Sequence, residues 1–184
     1  MPFPDFSPTL PQFLAHIDER FAQNEVMVLE HKRLSFQEAE RRSAQLATGL
    51  LAHGVTKGTR VGLLMPNGPD WLLAFLAVTR VGAVLVPLNT FLKAPELAWA
   101  LRDADIHSLL TVDSYLGNDY LERLQQAAPE LGSTTTTRLR LPSLPHLRQI
   151  FCWGDAKRPW AGSGDALEAG SSDPPEFLSH LESQ

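Results

Sequence analysis

The stretch RVGLLMPNGPDWLLAFLAVTRVGAVLVP, residues 60–87, decides the fold. Arg60-Val61-Gly62-Leu63-Leu64-Met65 is an apolar run closed by Pro66 and reads as a buried strand. Asn67-Gly68-Pro69-Asp70 is a turn into a helix, Trp71 to Arg80, that is apolar almost all round and must be covered on most sides. Gly82 ends that helix, and Ala83-Val84-Leu85-Val86 is a second buried strand stopped by Pro87. Strands that are continuously apolar, separated by a helix, predict a parallel sheet with helices on both faces.

Upstream, Leu10, Phe13, Leu14, Ile17 and Phe21 form one apolar stripe and predict a helix from about Thr9 to Ala22. Val26-Met27-Val28-Leu29 is a short strand, and His31-Lys32-Arg33 is polar and turn-like. Ser35-Phe36-Gln37-Glu38 is a capping box that opens a helix with Phe36, Ala39, Ser43, Leu46, Ala47, Leu50 and Leu51 on its apolar face. Glu38 and Arg42 are spaced as an i,i+4 pair on the wet side, and Gly54 reads as the left-handed residue after the helix end.

Downstream the rhythm continues. Pro95 starts a helix carrying Leu97, Ala98 and Leu101 that ends near Asp105; Ser108 to Val112 is a strand. Tyr115 to Ala127 reads as a helix with Leu116, Tyr120, Leu121 and Leu124 on one side, and Gln149 to Trp153 as a further strand. Ser133 to Thr137 is low in complexity and reads as a loose loop. Gly154 to Pro175 is rich in Gly, Pro, Ser and Asp and reads as a surface linker, followed by a short helix from Glu176 to Leu181. The division expected is an α/β subdomain over 1–153, then a linker and short helix over 154–184.

Composition narrows the function. The chain has 184 residues, 43% of them hydrophobic and 20% charged, the balance of a soluble globular protein. Its net charge is −5 and its basic residues are scattered, which argues against nucleic acid as a partner. Cys152 is the only cysteine, so neither an internal disulfide nor a cysteine-based zinc site is expected, and a reducing, cytoplasmic setting fits. Met1 to Asp5 lacks the basic and apolar regions of a signal peptide. The longest apolar run, Trp71 to Val78, is far short of the ~20 residues of a membrane span, although peripheral membrane contact stays open.

The motifs that carry chemistry are thin. Gly162-Ser163-Gly164 is part of a dinucleotide fingerprint, but Leu167 stands where the third glycine belongs. Lys57-Gly58-Thr59 lacks Walker spacing and reads as a helix-to-strand turn. The six histidines show neither i,i+4 metal spacing nor HExxH, and no serine stands in a G-x-S-x-G elbow. His53 fits a helix-dipole partner, and Cys152 a small buried hydrophobe. The weak candidates for substrate contact are Asn67, otherwise a turn residue, and Trp71, otherwise a core anchor. No catalytic, cofactor-binding or metal-binding residue is expected.

Several runs together resemble the opening of the AMP-forming acyl-CoA synthetases, in the adenylate-forming superfamily. They are Leu34 to Ala39, Ala47 to Gly54, Gly58 to Val61, Met65 to Trp71, Phe75 to Ala77, Gly82 to Asn89 and Pro95 to Leu97. The strand ending at Val112 completes the match, and order and spacing agree over about 9–128. The resemblance implies an incomplete first subdomain of that fold. It implies a parent that activates a carboxylic acid, fatty or aryl, with ATP and Mg²⁺ and passes the acyl group to CoA.

The family's phosphate loop, ribose-binding Asp and catalytic Lys find no matching position here. Adenylation needs backbone N–H groups, a cation and a metal around a triphosphate. None of Lys32, Lys57, Lys93 and Lys157 sits in a Gly/Ser/Thr-rich loop that opens a helix. The expectation is therefore a fragment lying ahead of the phosphate loop, inactive alone. The alternative is a standalone, non-catalytic binding or assembly module of the same origin. A dehydrogenase half ranks last, since this chain lacks the glycine fingerprint and the acidic residue at the end of a following strand.

Overall fold

The computed structural model describes residues 6–169 and 176–183. In chain order the elements are α1 (Leu10–Phe21), β1 (Glu25–Leu29), β2 (Lys32–Ser35), α2 (Phe36–Ala52), β3 (Arg60–Leu64), α3 (Pro69–Arg80), β4 (Val84–Pro87) and α4 (Ala94–Asp103). They continue with β5 (Ser108–Val112), β6 (Ser114–Tyr115), β7 (Asn118–Asp119), α5 (Tyr120–Ala127), β8 (Gln149–Trp153), β9 (Gly162–Ser163), α6 (Gly164–Ala169) and α7 (Glu176–Glu182). The chain divides into two compact units.

The first unit gathers the described residues of Met1–Gly58, Asn67–Val84 and Glu168–Gln184. Ser35 Oγ accepts the Glu38 N–H at 3.1 Å, so the N-cap half of the expected box opens α2. Gly54, at φ 78°, closes that helix, and the Val55 N–H returns to the Leu50 carbonyl at 3.0 Å. Leu14 of α1, Leu34 of β2, Ala39 of α2, and Leu73 and Leu76 of α3 pack into one buried cluster.

Two expectations change here. Lys32 and Arg33 are strand, not turn: β1 and β2 form an antiparallel hairpin that pairs Leu29 with Lys32 and Val28 with Arg33. The reversal falls on Glu30, in the left-handed region at φ 51°, where no glycine marks it. Arg42 pairs with Glu168 of α6 by two parallel bonds of 2.6 and 3.1 Å, with Asp70 at 3.7 Å. A two-pronged guanidinium–carboxylate contact outcompetes a solvated pair along one helix.

The second unit comprises Thr59–Pro66 and Leu85–Leu167. Its sheet has the order β4-β3-β5-β8-β9. β3, β5, β8 and β9 run parallel, with Leu63 opposite Leu110 and Leu110 opposite Phe151. Residues of both sheet faces are buried: Leu64, Leu109 and Ile150 on one, Leu63, Leu110 and Phe151 on the other. The first set joins Leu97 and Leu101 of α4 and Leu121 and Leu124 of α5 in a single core. The fold is α/β, a parallel sheet flanked by helices, as the sequence predicts. β4 is an exception to continuous burial, because it is the edge strand and Val84 stays exposed.

The expected helix from Tyr115 is shorter. β6 and β7 form a hairpin, with Leu116 (φ 49°) and Gly117 (φ 75°) at its tip. Two successive left-handed residues are what a tight hairpin turn requires, and no helix tolerates them. Asp119 then accepts the Glu122 N–H at 2.8 Å and starts α5.

The linker reading also changes. Trp160, 1% exposed, inserts into the core; β9 pairs with β8, and α6 follows. Gly162 and Gly164 are small because rings lie against them: an added Cβ would meet Phe151 at 3.0 Å and Trp153 at 2.1 Å. The partial G-x-G is thus a close-packing signature, not a phosphate cradle. Of that stretch, 170–175 lies outside the described residues, while the short helix after it is present as α7.

Candidate functional site

In an open α/β sheet, ligands bind beyond the carboxyl ends of the strands where the strand order reverses. The order here reverses between β3 and β5. The seam is closed by Thr111, whose buried hydroxyl donates to the Leu64 carbonyl at 2.9 Å. One residue past β5, the Asp113 carboxylate accepts N–H groups from Asp155 (3.0 Å) and Ala156 (3.1 Å), just past β8. The Ala156 bond, with those of Ser114 and Asp155, holds the Asp113 carboxyl below its ordinary range. Gly154 is required between them. It sits at φ 124°, and a Cβ there would fall 2.3 Å from the Asp113 carboxylate.

Past the edge strand β4, the Asn89 side chain accepts the Phe91 N–H at 2.9 Å in a local turn. The Thr90 carbonyl is held from α5 by Arg123 (3.0 Å) and the Tyr120 hydroxyl (3.3 Å). This clamp leaves Phe91 pointing outward, 68% exposed, near Trp99 in sequence, itself 67% exposed. Leu92, Pro95, Trp99 and Ala100 line an open apolar concavity of about 450 Å³. Glu96, also in its wall, spends its carboxylate on the Lys93 N–H at 2.8 Å as the cap of α4. Apart from the Glu96 carboxylate, the lining of the concavity is apolar.

The groups with altered protonation sit elsewhere and are inaccessible or structural. His107 Nδ1 lies 2.9 Å from the Ser108 hydroxyl at the amino end of β5, and burial, then Arg148, lowers its pKa. Ser108 is fully buried and also takes a bond from Gln149 at 2.9 Å, so the pair is a strand fastener. The Cys152 thiol is buried, and burial pushes its pKa up to about 12, far from a nucleophile's. Among the described residues, no group of three or more His, Cys, Asp or Glu is arranged to hold a metal ion. No described helix is long and apolar enough to cross a membrane.

Of the sequence candidates, Asn67 is exposed in the turn before α3. Trp71 is half-buried in the first turn of α3 and stacks on Phe75, with centroids 5.7 Å apart. These placements assign neither residue a substrate. Sequence reasoning missed Asp113 and Gly154. The available signal was an acid directly after one predicted strand and a glycine directly after the next.

The chain matches the model of the family described as AMP-binding enzyme over residues 14–161. It is 31% identical over 145 residues to the mitochondrial medium-chain acyl-CoA ligase ACSF2 of Rattus norvegicus, covering 78% of this chain and 24% of that protein. Its identity to the Danio rerio ACSF2 is 29% over 181 residues, 96% of this chain and 29% of that protein. Among solved structures, the anthranilate CoA ligase AuaEII, in complex with anthranoyl-AMP, shares the fold at TM-score 0.74 and 21% identity, over 91% of this chain and 29% of that one. The long-chain-fatty-acid-CoA ligase FadD1 of Archaeoglobus fulgidus does so at TM-score 0.70 and 23% identity, over 94% and 31%. The chain thus spans between about a quarter and a third of the length of these proteins. With 14–161 matched, this chain belongs to the AMP-binding enzyme family.

Proposed function

We propose that this chain is the N-terminal part of an ATP-dependent acid–CoA ligase and supplies scaffold, not chemistry. The parent would adenylate a fatty or aryl carboxylic acid with ATP and Mg²⁺, then form the CoA thioester. The observation that carries the reading is the family match over 14–161, together with relatives named as acyl-CoA ligases. The structure supports the scaffold role. Lys32 lies in β2, Lys57 in the turn before β3, Lys93 at the cap of α4 and Lys157 past β8, none in a Gly-rich loop that opens a helix.

Large exposed apolar side chains favour a piece of a larger enzyme over a self-sufficient module. Val84 on the edge strand, Phe91 and Trp99 are surfaces that later segments of a parent would cover. In this reading the residues after 153 lead toward the parent's phosphate loop. A cytoplasmic, reducing setting belongs to the same proposal and rests on the single buried thiol. The test is acid-dependent release of pyrophosphate from ATP. The pure 184-residue chain is expected to release none with fatty or aryl acids, and a longer product of the same reading frame to release it. Robust release by the short chain overturns the proposal.

A further inference from the structure

Arg80, in the last turn of α3, is 2% exposed. A buried guanidinium is tolerated only when its charge and its N–H groups are met. Helix α2 does most of this. Nε donates to the Ser43 hydroxyl at 2.9 Å, and Nη2 donates to the Glu40 main-chain carbonyl at 3.3 Å and to the Glu40 carboxylate. One carboxylate already neutralises the cation. Yet Nη1 donates to a second, that of Glu182 on α7. The same residue's main-chain carbonyl accepts the Thr9 hydroxyl at 2.8 Å, and Leu178, one α7 turn earlier, is buried.

The cation is therefore oversubscribed. Burial raises the Glu40 pKa, Arg80 opposes that rise, and the charges of Glu182 and Asp18 add to it. The carboxylate from α2 is built into its own helix pair, while the one from α7 arrives from 102 residues away. We propose that Arg80 is the anchor of α7. The helix docks and releases as a unit on the Arg80–Glu182 pair, while α2 and α3 stay joined through Glu40 and Ser43. If the ligase reading above holds, the same anchor fixes where the chain continues into the remainder of the parent. The anchor itself does not depend on that reading.

The test is thiol labelling of the 184-residue chain carrying Leu178→Cys, with backbone amide exchange of α2 and α3 as the monitor of opening of the first unit and native Cys152 as that of the second. Glu182→Gln is expected to speed labelling at position 178 by roughly tenfold or more, the loss of one charged hydrogen bond, with Cys152 unchanged. Glu40→Gln is expected to leave the rate at 178 within about twofold or slower, because Glu182 then holds the cation alone. Backbone amide exchange of α7 with Leu178 intact repeats the comparison without the added thiol. The proposal is overturned if Glu182→Gln leaves α7 unaffected, if α2 and α3 lose protection together with α7, if both thiols speed up together, or if Glu40→Gln frees α7 as much as Glu182→Gln does. Acid-dependent activity enters none of these readouts, so failure here is separable from failure of the ligase reading.

Discussion

In the first unit, ion pairs join segments far apart in sequence, beside a small apolar cluster and the Thr9–Glu182 hydrogen bond. Arg80 ties α3 to Glu40 and Glu182, and Arg42 ties α2 to Glu168. In the second, distant segments are joined by backbone ladders and apolar packing. β3, β5 and β8 pair in register over a core of Leu, Ile and one deeply inserted Trp160. The difference teaches where each unit is vulnerable. A ladder with an apolar core fails by losing volume, and an ion node fails by losing one partner and stranding the other.

The largest expected effect is therefore in the second unit. Trp160→Ala empties a large, fully enclosed site and should cost about 3–5 kcal/mol of unfolding free energy, read from denaturant midpoints at an unchanged slope. A cost below ~1 kcal/mol would mean that the stretch after β8 is peripheral, as its composition suggests. Next comes Arg80→Met in the first unit, expected to cost about 3 kcal/mol because two carboxylates lose their cation. Adding Glu40→Gln and Glu182→Gln should recover part of that loss. If Arg80→Met is neutral, the contrast between the units collapses.

The smallest effect sharpens the exception, a charge that serves the ladder unit. Asp113 holds the turn past β8, and its folded pKa lies below the ordinary 3.8. Its contribution is present above that ordinary value and is lost as pH falls through the lower folded one. Asp113→Asn should therefore flatten the fall of stability with acid below about pH 4, and leave the stability of the first unit's helices unchanged. An acid limb identical to that of the parent chain would remove Asp113 from the account.

Legibility in the sequence follows the same division. Elements whose reason is local were readable: the apolar runs of β3 and β5, the Ser35 cap, the stops at Gly54 and Gly82. So was the parallel sheet, because strands buried on both faces read as continuous apolar runs. What was hidden depends on partners distant in sequence or on backbone angles that no residue type announces. Glu30 and Leu116 turn the chain at positive φ without being glycine. Trp160 is core although Gly, Pro and Asp surround it, because a ring from a loop can enter a core that other segments build. Arg42 finds Glu168, 126 residues away, rather than Glu38 on its own helix. The apolar concavity beside Trp99 is a different case: its walls are local, from α4 and the loop before it, and no motif announces them.

The proposal to test first is that this chain carries fold without the nucleotide site of its family. Equilibrium titration of the pure 184-residue chain with ATP and Mg²⁺ tests it most directly. The account predicts no saturable heat up to millimolar nucleotide, with a longer product of the same reading frame binding under the same conditions. Saturable, stoichiometric binding by the short chain would contradict it and would place phosphate-holding groups within these 184 residues.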